Sequence, residues 1–446
     1  MTDAPATPRL SRTAFAIIFA VSMATAVGNT GLQSVLPAIG RSLAIPDPMV
    51  AAIFSLSALL WAFSSPFWAR QSDIRGRKPL ILLGLAGFAV SMLLCGLVVS
   101  AGLAKLAAPI VIFACFLVSR AIFGLFGAAS NPATQAYVAE RTTPAERTQW
   151  MSNLAGAFSL GTVIGPVLAP VFIVGVFEFA GPLYAFSLIA AVMLLVVTRY
   201  LKEAPVGAVA SGRRSEKRAV APRKPLWRDR RLVPFIVYGF LLSTCQSALG
   251  QTLGFLIIDK THKAFPQLPP HDLLHIAQGY IEVAMVAGAI SGLLALWGFI
   301  RMFAMTPKSL LRWGAALAAL GNLIVAFSPD YATATIGYAL ASLGFSFARP
   351  GFTAGASLSV GMEDQAGAAG AIAAVNGVNI IIAPFAVSFY KVSPEGPFLI
   401  AAAVLAGLLA YAYLSPALRN VGVAAADGED LAIEATLERS DEGAGA

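Results

Sequence analysis

Long apolar runs alternate with short polar breaks from residue 13 to residue 415. Each run reaches about 20 residues or more, the length a helix needs to cross a hydrocarbon core about 30 Å thick. The runs lie near 13–38, 48–69, 79–101, 107–138, 149–175, 181–200, 233–258, 276–300, 309–328, 331–360, 367–390 and 397–415. The pattern predicts an all-α membrane protein with twelve transmembrane helices. Composition agrees: of 446 residues, 57% are hydrophobic and only 12% charged, where a soluble domain carries about 25% charged residues.

The first run follows Arg9 and Arg12 and contains Ala24, Thr25 and Ala26, which imitates a cleavable secretory signal. With no soluble domain behind it, the run reads as a retained first span. Cys95, Cys115 and Cys245 all fall inside apolar runs and offer neither a disulfide framework nor metal spacing. The formal charge of +8 resides in short loops between spans, so it speaks for topology and against nucleic acid as a partner.

Lys and Arg set the orientation. With both termini cytoplasmic, most of the 31 basic residues fall on the cytoplasmic side. Arg41, Lys105, Lys260, Lys263 and Lys391 fall outside, and Arg120 and Arg349 lie within spans. The predicted organisation is a cytoplasmic N-terminus (1–12), a six-helix bundle (13–200), a basic cytoplasmic linker (201–232), a second six-helix bundle (233–415) and an acidic disordered cytoplasmic tail (416–446). The linker suits an anionic inner leaflet, and the composition of the tail suits disorder.

The two halves repeat faintly. Pro132 and Pro166 stand at the same offset as Pro350 and Pro384, and the same shift carries Gln33 onto Gln251. "GPLYAF" from Gly181 and "GPFLIA" from Gly396 open spans 6 and 12. Repeated halves with a substrate site between them near the bilayer midplane are a common build for secondary transporters.

The loop "ARQSDIRGRK", Ala69 to Lys78, contains more than the positive-inside rule requires: an acid, Asp73, and a turn-forming Gly76 accompany Arg75, Arg77 and Lys78. It resembles the signature loop of the major facilitator superfamily, GxxxDxxGRK, with Ala69 for the first Gly. "RAIFGLFGAA", Arg120 to Ala129, is similar to the fourth-span motif RxxQGxxxA, with Phe123 in place of Gln. "GTVIGPVLAP", Gly161 to Pro170, is similar to the fifth-span antiporter motif GxxxGPxxGG, although Ala169 and Pro170 replace its last Gly pair. The motifs come nearest to the 12-span drug:proton antiporter group. The resemblance implies two pseudo-symmetric six-helix bundles in a bacterial-type inner membrane, working as a monomer with protons as coupling ion and no cofactor.

Gly161 and Gly165 lie one helical turn apart and permit close backbone approach, while Pro166 bends the helix. This packing motif is expected to seal against span 11, unless it is ordinary close packing. Arg120, a charge deep in span 4, has to face the protein interior or a wet cavity. The resemblance implies proton coupling or substrate binding there; a structural arginine is the alternative. Arg349 in span 10 raises the same question, since it could also snorkel. Glu282 is the acid placed inside a span, hence a candidate coupling group; an acid at the outer interface of span 8 is the alternative. Span 1 carries Asn29 where many relatives resembling this chain have an acid.

The cavity candidates are Asn29, Gln33, Gln246, Gln251, Asn376 and Asn379, with helix-to-helix bonding as the other role open to them. A cytoplasmic gate is expected from Asp73, Arg75, Gly76, Arg77 and Lys78. Asp73 would lie near the start of span 11 around Gly367 and near Arg141 or Arg147, with the bases facing Glu363 and Asp364. His271 and His275 are too few to make a metal site, and no nucleotide loop, nucleophile elbow or zinc signature suggests an enzyme. The expected function is a proton-coupled efflux carrier of small amphipathic or drug-like molecules working by alternating access. The alternatives are an importer or facilitator of a small polar or anionic solute, and a membrane sensor without transport.

Overall fold

The computed structural model describes residues 10–142, 144–203, 231–359, 372 and 382–419. Among them there is no strand, and nine helices are long and apolar enough to cross a membrane. In chain order the helices are α1 (Arg12–Ser42), α2 (Asp47–Arg75), α3 (Arg77–Leu103), α4 (Pro109–Phe126), α5 (Ser130–Glu140), α6 (Pro144–Leu168) and α7 (Gly181–Tyr200). They continue with α8 (Val233–Ala264), α9 (Pro270–Leu293), α10 (Pro307–Ala326), α11 (Tyr331–Leu358), α12 (Ala383–Val392) and α13 (Gly396–Leu414). Local chemistry marks where several begin. Ser11 accepts from Ala14 N–H ahead of α1 and Asp330 from Thr333 N–H ahead of α11, while Pro stands in the first turn of α2, α4, α7, α8, α9, α10 and α13. The Thr333 N–H holds the Asp330 carboxyl below its ordinary range.

The packing repeats as the sequence repeat implies. In the first bundle α3 packs on α7 and α2 on α4; in the second α10 packs on α13 and α9 on α11. α11 meets α10 through glycines whose Cβ would strike backbone: one on Gly344 would lie 2.3 Å from Ala318 N, one on Gly321 2.4 Å from Ala341 N. In a bilayer, where lipid is as apolar as leucine, such close approach drives association.

Three expectations change or gain detail. Span 4 is two helices: a 3₁₀ turn at Gly127–Ala129 separates α4 from α5. Carbonyls near the break are taken by α2, with Ser64 Oγ donating to Gly124 O at 2.9 Å and Trp68 Nε1 to Leu125 O at 2.5 Å. The fifth-span glycines have a partner that the sequence did not name, while most of span 11 lies outside the described residues. The two glycines pack on α1 of their own bundle, where a Cβ on Gly161 would lie 2.5 Å from Ala26 Cβ and one on Gly165 2.2 Å from Thr30 Oγ1. Thr30 Oγ1 also donates to Gly161 O at 3.2 Å. Gly165→Val is therefore expected to overpack the α1–α6 contact and destabilise the protein by about 1–3 kcal/mol, read as a lower thermal midpoint in detergent. An unchanged midpoint would show that α1 and α6 separate freely.

The third change concerns the predicted linker, whose first residues belong to the first bundle. Leu201 is buried, Tyr137 Oη donates to Lys202 O at 2.9 Å, and Glu203 accepts the N–H groups of Arg77 and Lys78 at 3.1 and 2.6 Å. A carboxylate there satisfies open donors at the start of α3 and faces the positive end of its dipole. Similarly, Leu418 is buried at the start of the predicted tail. The remainder of linker and tail lies outside the described residues.

Candidate functional site

The hydrogen bonds and ion pairs seen between described residues of the two bundles gather toward the end of the molecule that holds Arg41. Arg41, in the last turn of α1, donates Nε and Nη2 to the two carboxylate oxygens of Asp47, each at 2.7 Å, and its Nη1 lies 3.0 Å from Asp259 of α8. Lys391 of α12 approaches the buried Asp47 carboxylate at 3.1 Å, and Tyr390 Oη donates to Asp259 at 2.7 Å. Backbones close below these pairs: a Cβ on Gly254 of α8 would lie 2.5 Å from Pro37 Cγ of α1. Exposure follows the same axis. α2 is largely buried from Asp47 to Ser57, whereas Phe63, Phe67 and Ile74 nearer Gly76 are 77, 53 and 67% exposed.

This network escaped the sequence reading, which had marked Arg41 and Lys391 as exceptions to the charge bias without pairing them. Their partners Asp47 and Asp259 are far apart in sequence. The Arg41–Asp259 pair that joins the bundles is half-exposed, at 29 and 38%, and such pairs contribute roughly 1 kcal/mol or less. Arg41→Gln is therefore expected to lower the closed-to-open ratio at this end up to about fivefold, measured as a spin-label distance between Leu106→Cys and Lys263→Cys. An unchanged distribution would remove Arg41 from the closure.

Below the closure sits Arg120 of α4, 1% exposed. Its Nη2 donates to Asn29 Oδ1 of α1 at 2.8 Å, and the guanidinium lies over the rings of Phe54 and Phe123 at 5.1 and 4.7 Å. Nε and Nη1 are buried with no hydrogen-bond partner. The sequence had singled out both Arg120 and Asn29, but not that one holds the other. Phe123, the departure from the fourth-span motif, supplies one of the aromatic faces.

The second bundle carries a similar pair. Arg349 of α11 donates Nη2 to Gln246 of α8 at 3.0 Å, so each bundle sets an arginine of its fourth span on an amide of its first. Gln33 of α1 comes close to α8, its Nε2 3.9 Å from a Cβ built on Gly250, the neighbour of Gln251. Asn376 and Asn379 lie outside the described residues. Glu282 of α9 is buried and accepts from Gln278 Nε2 at 2.7 Å, while the same Nε2 donates to Ser34 O of α1 at 3.1 Å. Glu282 is thus inside the protein beside the contact between bundles.

At the opposite end, Gly76 adopts φ 94° between α2 and α3, a left-handed turn that glycine accepts readily. Arg77 does not extend toward the second bundle. It is bound to Asp73 at 2.7 Å, to Ser72 Oγ at 2.9 Å and to Glu140 of α5. Lys78 Nζ donates to Thr198 O at 2.8 Å, Arg75 is exposed, and Arg141 stacks on the Tyr137 ring at 3.5 Å. Among the described residues, Arg77, Lys78 and Arg141 are thus engaged within their own bundle. The Arg147 side chain, Glu363, Asp364 and Gly367 lie outside the described residues.

Among the described residues no group of His, Cys, Asp and Glu could hold a metal. A separate cavity of about 490 Å³, lined by Phe299, Met305, Trp313 and Phe347 among others, includes neither of the interior arginines nor Glu282.

The described residues thus form two bundles of apolar, membrane-length helices with polar side chains buried at their junction. The chain belongs to the Major Facilitator Superfamily, whose family model matches residues 18–384. It is 30% identical over 192 residues to Multidrug resistance protein 2 of Bacillus subtilis (strain 168), covering 43% of this chain and 44% of that one. It is 31% identical over 156 residues to Tetracycline resistance protein, class D, of Salmonella ordonez, covering 34 and 36%. The chain thus matches less than half the length of these curated relatives. Its fold is similar to a peptide transporter POT in complex with sulfate (TM-score 0.69, 14% identity, 93% of this chain and 97% of that one). It is also similar to the human organic anion transporter MFSD10 (TETRAN) (TM-score 0.60, 19% identity, 90 and 99%).

Proposed function

We propose that the protein is a proton-coupled efflux carrier of small amphipathic or drug-like molecules, working by alternating access. The observation that carries this reading is Arg120, buried on Asn29 at the α1–α4 contact with two nitrogens left for a ligand. The relatives named for multidrug and tetracycline resistance support export. In this reading the Gly76 end is cytoplasmic, as are both termini, the membrane is a bacterial-type inner membrane, and the protein acts as a monomer. The conformation, with its ion pairs between bundles at the Arg41 end, corresponds to the inward-open stage. The Asp73–Lys78 loop with Arg141, Arg147 and Asp364 forms the cytoplasmic gate in the opposite stage. Arg120, Glu282 and Arg349 serve coupling or substrate binding, and Gln33, Gln246, Gln251, Asn376 and Asn379 line the cavity.

A second reading, transport of a small polar or anionic solute, is favoured by one feature. The unpartnered Nε and Nη1 of Arg120 suit a carboxylate or phosphate as a charge-assisted partner. Inside-out vesicles containing the purified protein separate the two. Substrate-driven proton release with amphipathic compounds supports the exporter, whereas flux of small anions without proton movement supports a facilitator.

A further inference from the structure

Gln278 has an unusual hydrogen-bond balance. It is 2% exposed, and its Nε2 donates across the bundle boundary to Ser34 O and along α9 to Glu282 Oε1. Its own Oε1 is buried with no donor. An amide has two N–H groups and one carbonyl, so both donors are placed and the acceptor is left over. A buried acceptor without a partner is costly, and here it belongs to the side chain that already touches a carboxyl group.

A proton on Glu282 removes this imbalance. The carboxylic O–H donates to Gln278 Oε1 while Gln278 Nε2 continues to donate to the carboxyl oxygen, giving a paired amide and acid. The second N–H remains on Ser34 O, so every polar atom of the amide is satisfied while the bundles touch. When the bundles part at the Arg41 end, the Ser34 contact is lost and water reaches these groups, and the advantage of the proton falls. We propose that Gln278 is a positioning residue that ties proton occupancy of Glu282 to closure of the Arg41 end. The proposal rests on the reading of the protein as a proton-coupled carrier, and it assigns the coupling to a contact between α9 and α1.

Among the described residues, several titratable groups on α9 and on the helices packed against it have partners other than Glu282. On α9 itself Tyr280 stacks on Tyr331 of α11 at 3.6 Å, and His275 lies against Phe179 and His271. Tyr338 of α11 lies over Gly288, Arg349 binds Gln246, and Arg41 of α1 and Asp259 of α8 are paired with each other. Lys260 of α8 donates to Ser328 O.

The sign follows from linkage: if the closed form holds the proton more tightly, lowering the pH favours closure. The test uses the full-length protein in nanodiscs with spin labels at Leu106→Cys and Lys263→Cys, read across pH. Wild type is expected to shift toward the short distance as pH falls. Glu282→Gln, whose amide reproduces both bonds without a proton, is expected to stay short at every pH. Gln278→Met, which preserves volume but not the bonds, is expected to lose the pH response and to close less readily, by roughly fivefold. Three results would each overturn the proposal: a pH-independent wild type, a wild-type pH profile in Gln278→Met, or a Glu282→Gln protein that stays open. If these distances behave as expected but no compound drives proton movement in vesicles, the proposed transport function fails and the linkage of Gln278 to closure stands.

Discussion

Arg120→Ala is expected to lower substrate flux by roughly 10- to 100-fold while leaving the amount of folded protein unchanged or higher. Hydrogen bonds to a charged group contribute about 1.5–3 kcal/mol, and each 1.4 kcal/mol is about tenfold. Arg120 makes one such bond, to Asn29, and has two buried nitrogens free for a ligand. Insertion moves in the opposite direction, since an arginine at a helix centre costs about 2.5–3.5 kcal/mol. Arg120→Lys is expected to retain little flux, because a compact ammonium cannot hold Asn29 and lie flat over both Phe54 and Phe123. Vesicle transport and thermal unfolding of the same preparations check both halves. Full flux together with a lowered melting temperature would make Arg120 a structural residue.

The second large effect is on stability at the other end of the molecule. Arg77→Ala should destabilise the first bundle by about 3 kcal/mol, because it leaves Glu140, whose side chain is only 10% exposed, without its cation. Asp73→Asn removes the more exposed partner, at 58%, and should cost under about 1 kcal/mol. Thermal unfolding in detergent would show a large shift for the first variant and a small one for the second. Equal small shifts, with altered transport in both, would mean that Arg77 acts at the gate between bundles rather than as a clamp within one.

The contrast between these two sites shows how much could be read from the chain. The spans were legible because a bilayer imposes length and apolarity on each helix separately, a local constraint that the residues must state in order. Arg120, Asn29, Gln246, Arg349 and Glu282 were legible because a polar group among apolar neighbours is conspicuous. Their pairing was not, since Asn29 and Arg120 sit on different helices and nothing local records which faces meet. The fifth-span glycines were recognised as a packing surface, but their meeting with α1 was not. A small-residue pair permits a close approach without naming its partner. Gln278 passed unnoticed as an ordinary polar residue beside Glu282.

The sequence by itself therefore determined that this is a helical membrane protein built from two repeated halves. It also determined which few polar residues had to lie inside, because the hydrocarbon core acts on every span independently. Tertiary structure alone decided that Arg77 belongs to a clamp with Glu140, that the described ion pairs joining the bundles gather at the Arg41 end, and that Gln278 spans from Glu282 to Ser34. Each of those depends on distances between helices remote in the chain, which are set by packing, and packing is a property of the assembled bundles.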